Sequence, residues 1–189
     1  MRIIAGEAGG VPLVAPSGAT TRPTSDKLKG AIFSSLGDVG CTGRVLDLFA
    51  GSGGLGIEAL SRGADYCALV DSAAAACRAI RMNLQKAKLA DRAAVHQLPV
   101  GRFVSSGASE PYDLILMDPP YALAGLETLL GEIAVSELVG LGTTLLVEHA
   151  SRRMLPPRLG KMESRRTRTH GDSAFTTFAV GPPRMTLST

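Results

Sequence analysis

The tetrapeptide Asp118-Pro119-Pro120-Tyr121 directly follows an apolar run at 114–117, which predicts that it ends a buried strand. The exocyclic amine of a nucleobase is a poor nucleophile because its lone pair is delocalised into the ring. Acceptors that take both of its N–H hydrogens stabilise the positive charge that develops when the amine attacks a methyl donor. Asp118 can supply one acceptor, the carbonyl of Pro119 can supply another, and Tyr121 can stack on the base. The alternative interpretation is an ordinary strand-ending turn, where Asp and Pro are common.

A glycine-rich loop follows a second predicted strand at 45–49. The loop carries Gly51, Gly53 and Gly56, and the apolar pattern after it predicts a helix that ends near 62–63. Glycine lets a backbone approach a ligand closely, and the first turn of a helix offers free N–H groups and a positive dipole end. The strand, loop and helix together predict a site for a nucleotide-like cofactor.

Two acidic residues help to decide which cofactor the loop binds. The spacing of the glycines, with Asp71 about twenty residues later, also fits a dinucleotide oxidoreductase. Asp47 lies inside the strand before the glycines, where a carboxylate suits the ammonium group of S-adenosylmethionine and would repel a pyrophosphate. The Asp118 corner has no obvious role in hydride transfer, which also favours S-adenosylmethionine. The alternatives are a structural carboxylate for Asp47 and a helix N-cap for Asp71, a role that Ser72 could serve equally well.

Composition indicates one soluble domain over residues 1–189. No apolar run is long enough to span a membrane, and the N-terminus lacks the long apolar region of a secretory signal. Cys41, Cys67 and Cys77 are odd in number and lack C-x-x-C spacing, so they are expected to be reduced thiols. We therefore expect a cytoplasmic protein without a disulfide or a zinc framework.

The net charge of +3 says little about partners, but the basic residues are concentrated in two groups. The early group is Arg2, Arg22, Lys27 and Lys29, and the late group is Arg152, Arg153, Arg158, Lys161, Arg165, Arg166 and Arg168. If both groups flank the Asp118 corner, they form a footprint for the phosphates of a nucleic acid. The alternative is a solvated face without a partner.

The predicted elements alternate between strands and helices, which indicates an α/β fold with a parallel sheet and helices on both faces. The strands are predicted at 45–49, 66–70, 93–96, 113–117 and 143–148, with helices at 73–88 and 126–138 and one whose apolar face is Leu28, Ile32 and Leu36. A hairpin is predicted over 2–14, turning near Gly9-Gly10, and a closing antiparallel pair over 164–169 and 174–180. Because ligands of such sheets bind at the carboxyl ends of the strands, the glycine loop and the Asp118 corner should share one edge.

The order of these motifs resembles the bacterial 16S rRNA (guanine-N2)-methyltransferases of the RsmD type. The resembling segments are 1–6, 21–26, 45–64, 118–121, 148–149 and 171–178. The resemblance implies a Rossmann-like class I methyltransferase fold with a mostly parallel seven-stranded sheet and an N-terminal hairpin extension over 1–20. It also implies S-adenosylmethionine as cofactor and a guanine of 16S rRNA, presented by the assembled small ribosomal subunit, as substrate.

The resemblance and the motifs together assign site residues. Catalysis is assigned to Asp118, Pro119, Pro120 and Tyr121, cofactor binding to Asp47, Gly51, Gly53, Asp71, Ser72 and Val100, and RNA binding to Arg22, Arg165 and Arg166. The family commonly has Glu where this chain has Asp71, and it usually has an Asp for the adenine amine where this chain has Pro99. The backbone near Val100 could replace that second contact. The segment at 26–30 keeps the basic charge of the family's helix start but loses its acid.

Two other functions stay open. Adenine-N6 DNA methyltransferases use the same corner, but they usually carry a separate target-recognition region, and no such insertion is visible in this sequence. A non-catalytic S-adenosylmethionine-binding or RNA-chaperone module is the second alternative, and the intact corner argues against it. His149 beside Glu148 suggests metal chemistry at first sight, but no further His or Cys has ligand spacing, so we expect a structural role and no metal.

Overall fold

A computed structural model describes residues 1–17, 26–37 and 41–181 of the chain. The described helices are α1 (Asp26–Leu36), α2 (Gly54–Ser61), α3 (Ala74–Ala87), α4 (Val100–Ser106) and α5 (Leu126–Val135), with a short 3₁₀ helix at Ala90–Arg92. The strands are β1 (Arg44–Leu48), β2 (Tyr66–Asp71), β3 (Ala93–Gln97), β4 (Tyr112–Met117), β5 (Val139–Ala150), β6 (Arg158–Leu159), β7 (Met162–His170) and β8 (Ser173–Val180).

The described strands form one sheet in the order β3-β2-β1-β4-β5-β8-β7-β6. Strands β3, β2, β1, β4 and β5 are parallel, and β8, β7 and β6 add to them in antiparallel fashion. The predicted parallel sheet with a closing antiparallel hairpin is confirmed. The sheet has eight strands, one more than predicted, because the two-residue strand β6 folds back on β7 through Gly160, whose φ is +53°.

Both faces of the sheet are covered by helices, which explains why the parallel strands are almost continuously apolar. Alternate residues of each strand enter different cores. On one face Leu69, Leu116 and Leu146 pack with residues of α1, α2 and α3. On the other face Ile115 and Met117 pack with residues of α4 and α5. None of the helices in the described part of the chain is long and apolar enough to cross a membrane.

The N-terminal segment forms the predicted hairpin, although only one pair of residues, Arg2 and Pro12, is bridged as in a sheet. The N–H of Ile3 donates to the carbonyl of Val11 (3.0 Å), and the N–H of Gly10 donates to the carbonyl of Ile3 (2.8 Å). Where the hairpin turns, Gly6 has a φ of +84°, and a Cβ there would lie 1.8 Å from a backbone oxygen of α2. The hairpin thus depends on glycine for its close contact with α2. The prediction that 1–189 is one domain with an extension over 1–20 stays a prediction.

A buried ion pair fastens this hairpin to helices α1 and α2. Lys29 of α1 and Glu58 of α2 are both fully buried, and their Nζ and Oε2 atoms are 3.1 Å apart. The two carboxylate oxygens of Glu58 also accept the N–H groups of Ile4 (2.7 Å) and Ala5 (3.0 Å), and Lys29 donates to the carbonyl of Arg2. The inclusion of Lys29 in a surface footprint for phosphates is therefore wrong, because its charge is neutralised inside the protein.

Candidate active site

Four carboxyl groups lie in a row at the carboxyl ends of four neighbouring strands. Asp71 ends β2, Asp47 lies within β1, Asp118 directly follows β4, and Glu148 is near the end of β5. The register of these strands places all four side chains on the same face of the sheet. Neighbouring charges in the row act on one another, since Asp118 and Asp71 raise the pKa of Asp47 and Asp118 raises the pKa of Glu148. Such a row of acids is suited to a cationic ligand.

Asp47 is the most deeply buried acid of the row. Burial is the main reason that its pKa rises from 3.8 to about 7, with smaller contributions from Asp118 and Asp71, while a hydrogen bond from the Gly56 N–H to Oδ2 (2.8 Å) lowers it. A Cβ on Gly56 would lie 3.0 Å from that oxygen and 2.8 Å from the sulfur of Cys67, so the site needs glycine there. A positive group next to Asp47 would favour its ionised form, which fits the ammonium group of S-adenosylmethionine.

The glycine loop turns sharply away from β1. Phe49, Gly51 and Gly53 all have positive φ values, 62°, 58° and 80°, and Gly53 is the N-cap of α2. The N-cap has no side-chain hydrogen bond, so the first N–H groups of α2 depend on other partners. One of these N–H groups, that of Gly56, donates to Asp47. The first turn of α2 is thus hydrogen-bonded directly to the buried carboxylate.

Asp71 holds the glycine loop and the start of α3 together. Its Oδ2 accepts the N–H of Gly51 (2.9 Å), and its Oδ1 accepts the N–H of Ala73 (2.9 Å), which is the N-cap of α3. Neither Asp71 nor the exposed Ser72 is the N-cap of α3, so the N-cap interpretation of these two residues is wrong, although Asp71 binds the N–H of the residue that is the N-cap. Each carboxylate oxygen of Asp71 keeps a second lone pair, so these two hydrogen bonds do not prevent it from binding ribose hydroxyls.

Asn83, which the sequence did not single out, supports the same loop from behind. It is fully buried in α3, and its Nδ2 donates to the carbonyls of Ser52 (2.8 Å) and Val14 (2.9 Å) while its Oδ1 accepts the N–H of Val14 (2.8 Å). One side chain thus connects the glycine loop to the N-terminal hairpin. An amide on the apolar face of a predicted helix is the only signal that the sequence offered for it.

The Asp118 corner stands between β4 and the final hairpin. The N–H of Asp118 donates to the carbonyl of Leu48 (3.4 Å), which keeps the corner at the level of the glycine loop. No hydrogen bond from a described residue reaches the carbonyl of Pro119, whereas the carbonyl of Pro120 accepts the N–H of Leu123 (2.8 Å). The carbonyl of Pro119 is therefore the one of the two that no described residue binds, and its role toward a substrate amine stays a prediction.

Tyr121 is half exposed, and its hydroxyl is bound at the start of β8. The hydroxyl is hydrogen-bonded to Ser173 and lies 3.4 Å from Oε1 of Glu148. Glu148 is buried, and desolvation followed by the charge of Asp118 raises its pKa from 4.5 to about 7. Sequence reasoning assigned no role in the site to Glu148, because the contact with the corner depends on the pairing of β4 with β5.

His149 has the structural role that the sequence predicts. Its Nδ1 lies 3.0 Å from the carbonyl of Ala150 and must donate to it, so Nε2 accepts the hydroxyl of Thr176 at 2.9 Å. Burial lowers the pKa of His149, which keeps the ring neutral. In the described part of the chain no group of three or more His, Cys, Asp or Glu side chains is arranged to hold a metal ion.

The remaining predicted site residues differ in their surroundings. Val100 opens α4 just beyond β3, and because its side chain is buried only its backbone could meet a ligand. Arg165 lies at an irregularity of β7, is paired with Glu163 (3.4 Å) and donates to the carbonyl of Gly181. Arg166 is exposed and makes no ion pair with a described residue, and Arg22 lies outside the described residues.

The basic residues near Arg165 are not equally available. Arg153, Arg158 and Lys161 are held by Glu127, Glu163 and the carbonyl of Val139. Arg168, like Arg166, is exposed and has no ion pair in the part of the chain that the structure describes. Through the pairing of β7, β8 and β5, Arg168 lies level with Glu148, and both arginines lie on the face that carries the row of acids. Among the basic residues of β7, this pair lies on the site face without an ion pair to a described residue.

The geometry agrees with what comparison with known proteins finds. A family model described as "Conserved hypothetical protein 95" matches residues 1–179. The chain is 38% identical over 173 residues to "Putative rRNA methyltransferase YlbH" of Bacillus subtilis (strain 168), which covers 90% of this chain and 94% of that protein. It is 33% identical over 127 residues to "Ribosomal RNA small subunit methyltransferase D" of Escherichia coli (strain K12), covering 67% of this chain and 63% of that one.

A solved structure shows the same architecture. Hypothetical protein TTHA0928 of Thermus thermophilus is 34% identical, with a TM-score of 0.82 over 95% of this chain and 99% of that one. The chain therefore belongs to the RsmD-type methyltransferase family, the family described as conserved hypothetical protein 95, and its α/β sheet has the Rossmann-like class I methyltransferase fold.

Proposed function

We propose that the protein uses S-adenosylmethionine to methylate the exocyclic N2 amine of a guanine in 16S rRNA, within the assembled small ribosomal subunit in the cytoplasm. The observation that carries the proposal is the Asp118 corner, which belongs to a row of acids and lies at the same edge of the sheet as the glycine loop. The names of the relatives support an rRNA substrate. The resemblance to RsmD-type enzymes supports guanine N2.

The residues at the cofactor end of the site fit S-adenosylmethionine, which supplies an electrophilic methyl group. Asp47 would bind its ammonium group, since this buried carboxyl has a raised pKa and a positive neighbour would favour its charged form. Asp71 would bind the ribose hydroxyls with its remaining lone pairs. The backbone of Val100 would meet the adenine in place of the acid that Pro99 replaces. The loop is open at Gly51, where an added Cβ would meet only the carbonyl oxygen of Phe49, at 4.0 Å.

At the other end, the corner would activate the substrate amine. Asp118 would accept one N–H of the amine and the carbonyl of Pro119 would accept the other, which localises the lone pair on nitrogen. As the nitrogen becomes positively charged during attack, the fixed carboxylate stabilises it. The surplus proton then leaves to Asp118 or to solvent. Tyr121 would stack on the base, with its hydroxyl held by Ser173 so that the ring keeps its orientation.

Phosphates of the RNA would be bound by Arg166 and Arg168. Both are exposed on the site face of β7, whereas Arg165 is held by Glu163 and by Gly181. An anionic backbone passing over β7 would deliver a base toward Asp118 along the same face. The part played by Arg22 and Arg165 in RNA binding stays a prediction.

The proposal is tested by transfer of a labelled methyl group to assembled small subunits, naked 16S rRNA and DNA, followed by identification of the methylated nucleoside. We expect N2-methylguanosine from the small subunits. Asp118→Asn should reduce the rate by roughly 10²–10³-fold, since it removes one preorganised charge, and should leave cofactor affinity unchanged. Asp91→Asn, the same change in an exposed residue far from the corner, is the control. Methylation of adenine in DNA, or normal turnover by Asp118→Asn, would overturn the proposal.

A further inference from the structure

The end of β5 carries a buried carboxyl that amine activation by Asp118 does not by itself require. Glu148 is 4% exposed, and its Oε1 lies 3.4 Å from the hydroxyl of Tyr121. If Glu148 is ionised, its Oε2 is buried without a hydrogen-bond donor among the described residues. Burying an ionised oxygen in this way is costly, so the arrangement indicates that Glu148 is protonated for part of its time.

The strand register supplies a partner for that proton. Met117 of β4 pairs with Val147 of β5, so the next residues, Asp118 and Glu148, stand side by side on the same face. The carboxyl of Asp118 acts on Glu148 through its charge and through a hydrogen bond to the protonated form. Two carboxyls this close cannot both ionise cheaply, so the pair is expected to share one proton near neutral pH.

The other groups around Glu148 do not compete for this role. Tyr121 and Ser173 face it from the corner and from the start of β8, and both hydroxyls favour its charged form. His149, the next residue of β5, points to the opposite face and is bonded to Thr176. Asp118 is thus the one charged group from a neighbouring element that acts on Glu148, within the part of the chain that the structure describes.

We propose that Glu148 is a positioning residue that, in its neutral form, donates a hydrogen bond to Asp118 and leaves the other oxygen of that carboxylate for the substrate amine. The pair then carries a single negative charge, and the rotamer of Asp118 is fixed before the base arrives. This inference rests on the proposed methyltransferase function. It adds a residue from β5 to a site otherwise built from β1, β2 and β4.

The inference predicts a difference between two replacements of Glu148. Gln keeps a neutral donor of the same length, so Glu148→Gln should keep kcat within a few-fold of the wild type at pH 7. Ala removes the donor, so Glu148→Ala should lower kcat by roughly tenfold to 10²-fold through loss of geometry, with unchanged cofactor affinity and RNA KM. As pH rises above about 7, the wild-type kcat should fall because both carboxyls ionise, whereas Glu148→Gln should not show this loss.

A second measurement needs no turnover. The folded-state pKa of Glu148 is raised from 4.5 to about 7, so the stability that its proton contributes is fully present below pH 4.5 and is lost as pH rises through about 7. Without cofactor, the melting temperature of Glu148→Gln relative to that of the wild type should therefore increase as the pH is raised from 5 to 8. Glu132→Gln, in an exposed residue of α5, should run parallel to the wild type.

The two measurements separate the inference from the proposed function. If Glu148→Gln loses turnover like Glu148→Ala, or if it keeps both the alkaline loss of kcat and the wild-type dependence of melting temperature on pH, the shared proton is wrong. If the wild type does not methylate small subunits at all, the proposed function fails, and the melting temperatures still decide whether Glu148 carries a proton near neutral pH, as the inference requires.

Discussion

At the scale of single residues, replacing Asp47 by Asn removes a buried charge and keeps an oxygen that can accept the N–H of Gly56. Because the pKa of Asp47 is raised from 3.8 to about 7, the folded protein binds this proton more tightly than the unfolded chain does. The resulting stabilisation is complete below pH 3.8 and is lost as pH rises through about 7. Above that pH the ionised group costs at most about 4 kcal/mol, since each pKa unit corresponds to about 1.4 kcal/mol.

We therefore expect Asp47→Asn, without cofactor, to melt at a higher temperature than the wild type at pH 8 and at a similar temperature at pH 4. The same variant should bind S-adenosylmethionine more weakly, because the ammonium group loses its charged partner. Thermal unfolding at both pH values and calorimetric titration of the cofactor measure the two effects. A lower melting temperature at pH 8 would show that the carboxylate is stabilised by the fold, and unchanged affinity would remove Asp47 from the cofactor site.

Sequence alone singled out Asp47, Asp71 and Asp118 as candidates, because each ends or lies within an apolar run and belongs to a recognisable motif. It did not identify Glu148 as a site residue, since the role depends on the register of β4 with β5, which local pattern does not fix. Asn83 was missed for a related reason. Its partners, Val14 and Ser52, are distant in sequence, and an amide within a helix is usually a solvated residue.

At the scale of elements, strand β7 presents two arginines, Arg166 and Arg168, to the site, whereas its third, Arg165, is held by contacts within the protein. Replacing both Arg166 and Arg168 by Ala should weaken binding of the RNA substrate and leave cofactor affinity unchanged. The slope of log affinity against log salt concentration should also become less steep, by about 0.7–0.9 for each lost phosphate contact. Binding to small subunits at several salt concentrations measures both effects.

Arg158→Ala is the matched control, because Arg158 is also exposed and basic but is paired with Glu163 in the β6–β7 hairpin. It should change the slope little. If the double variant keeps the wild-type affinity and slope, β7 is a solvated face, and RNA contact must come from elsewhere, with Arg22 the first candidate.

Helix α3 connects the N-terminal hairpin to the glycine loop through Asn83. Asn83→Ala leaves the buried carbonyl of Ser52 and the part-buried N–H and carbonyl of Val14 without this partner, which should lower the free energy of unfolding by about 1–3 kcal/mol. It should also weaken cofactor binding, since Ser52 lies in the loop. Chemical denaturation and cofactor titration test this, with Gln85→Ala, an exposed change in the same helix, as the control. Loss of stability with normal cofactor affinity would show that the hairpin and the loop are independent.

Some elements were predictable and others were not. The bounds of β1, β2, β3 and α3 agree with the predicted ones within one or two residues, because long apolar or amphipathic runs mark them. Helix α4 and strand β6 were not predicted, since seven and two residues are too few to show a period. Helix α5 ends at Val135, three residues early, because the chain turns at Ser136 and β5 already begins at Val139.

At the scale of the whole molecule, the alternation of strands and helices was enough to predict the parallel part of the sheet. Buried strands separated by helices allow few other arrangements. The antiparallel end was predicted as a hairpin, but the order of its two strands was not. No local pattern shows which strand of the hairpin pairs with β5. The structure places β8 there, and β7 lies outside it.

That order has a consequence for how the protein is made. Strand β8 is the last described strand to be synthesised, yet it lies between β5 and β7. Until residues 173–180 have left the ribosome, one edge of β5, a strand of 12 residues, has no partner on that side. An unpaired apolar edge invites pairing with other chains. Premature termination after β7 should therefore yield an aggregating polypeptide and not a merely inactive one, and translation through the final strand is the step that protects the chain from aggregation.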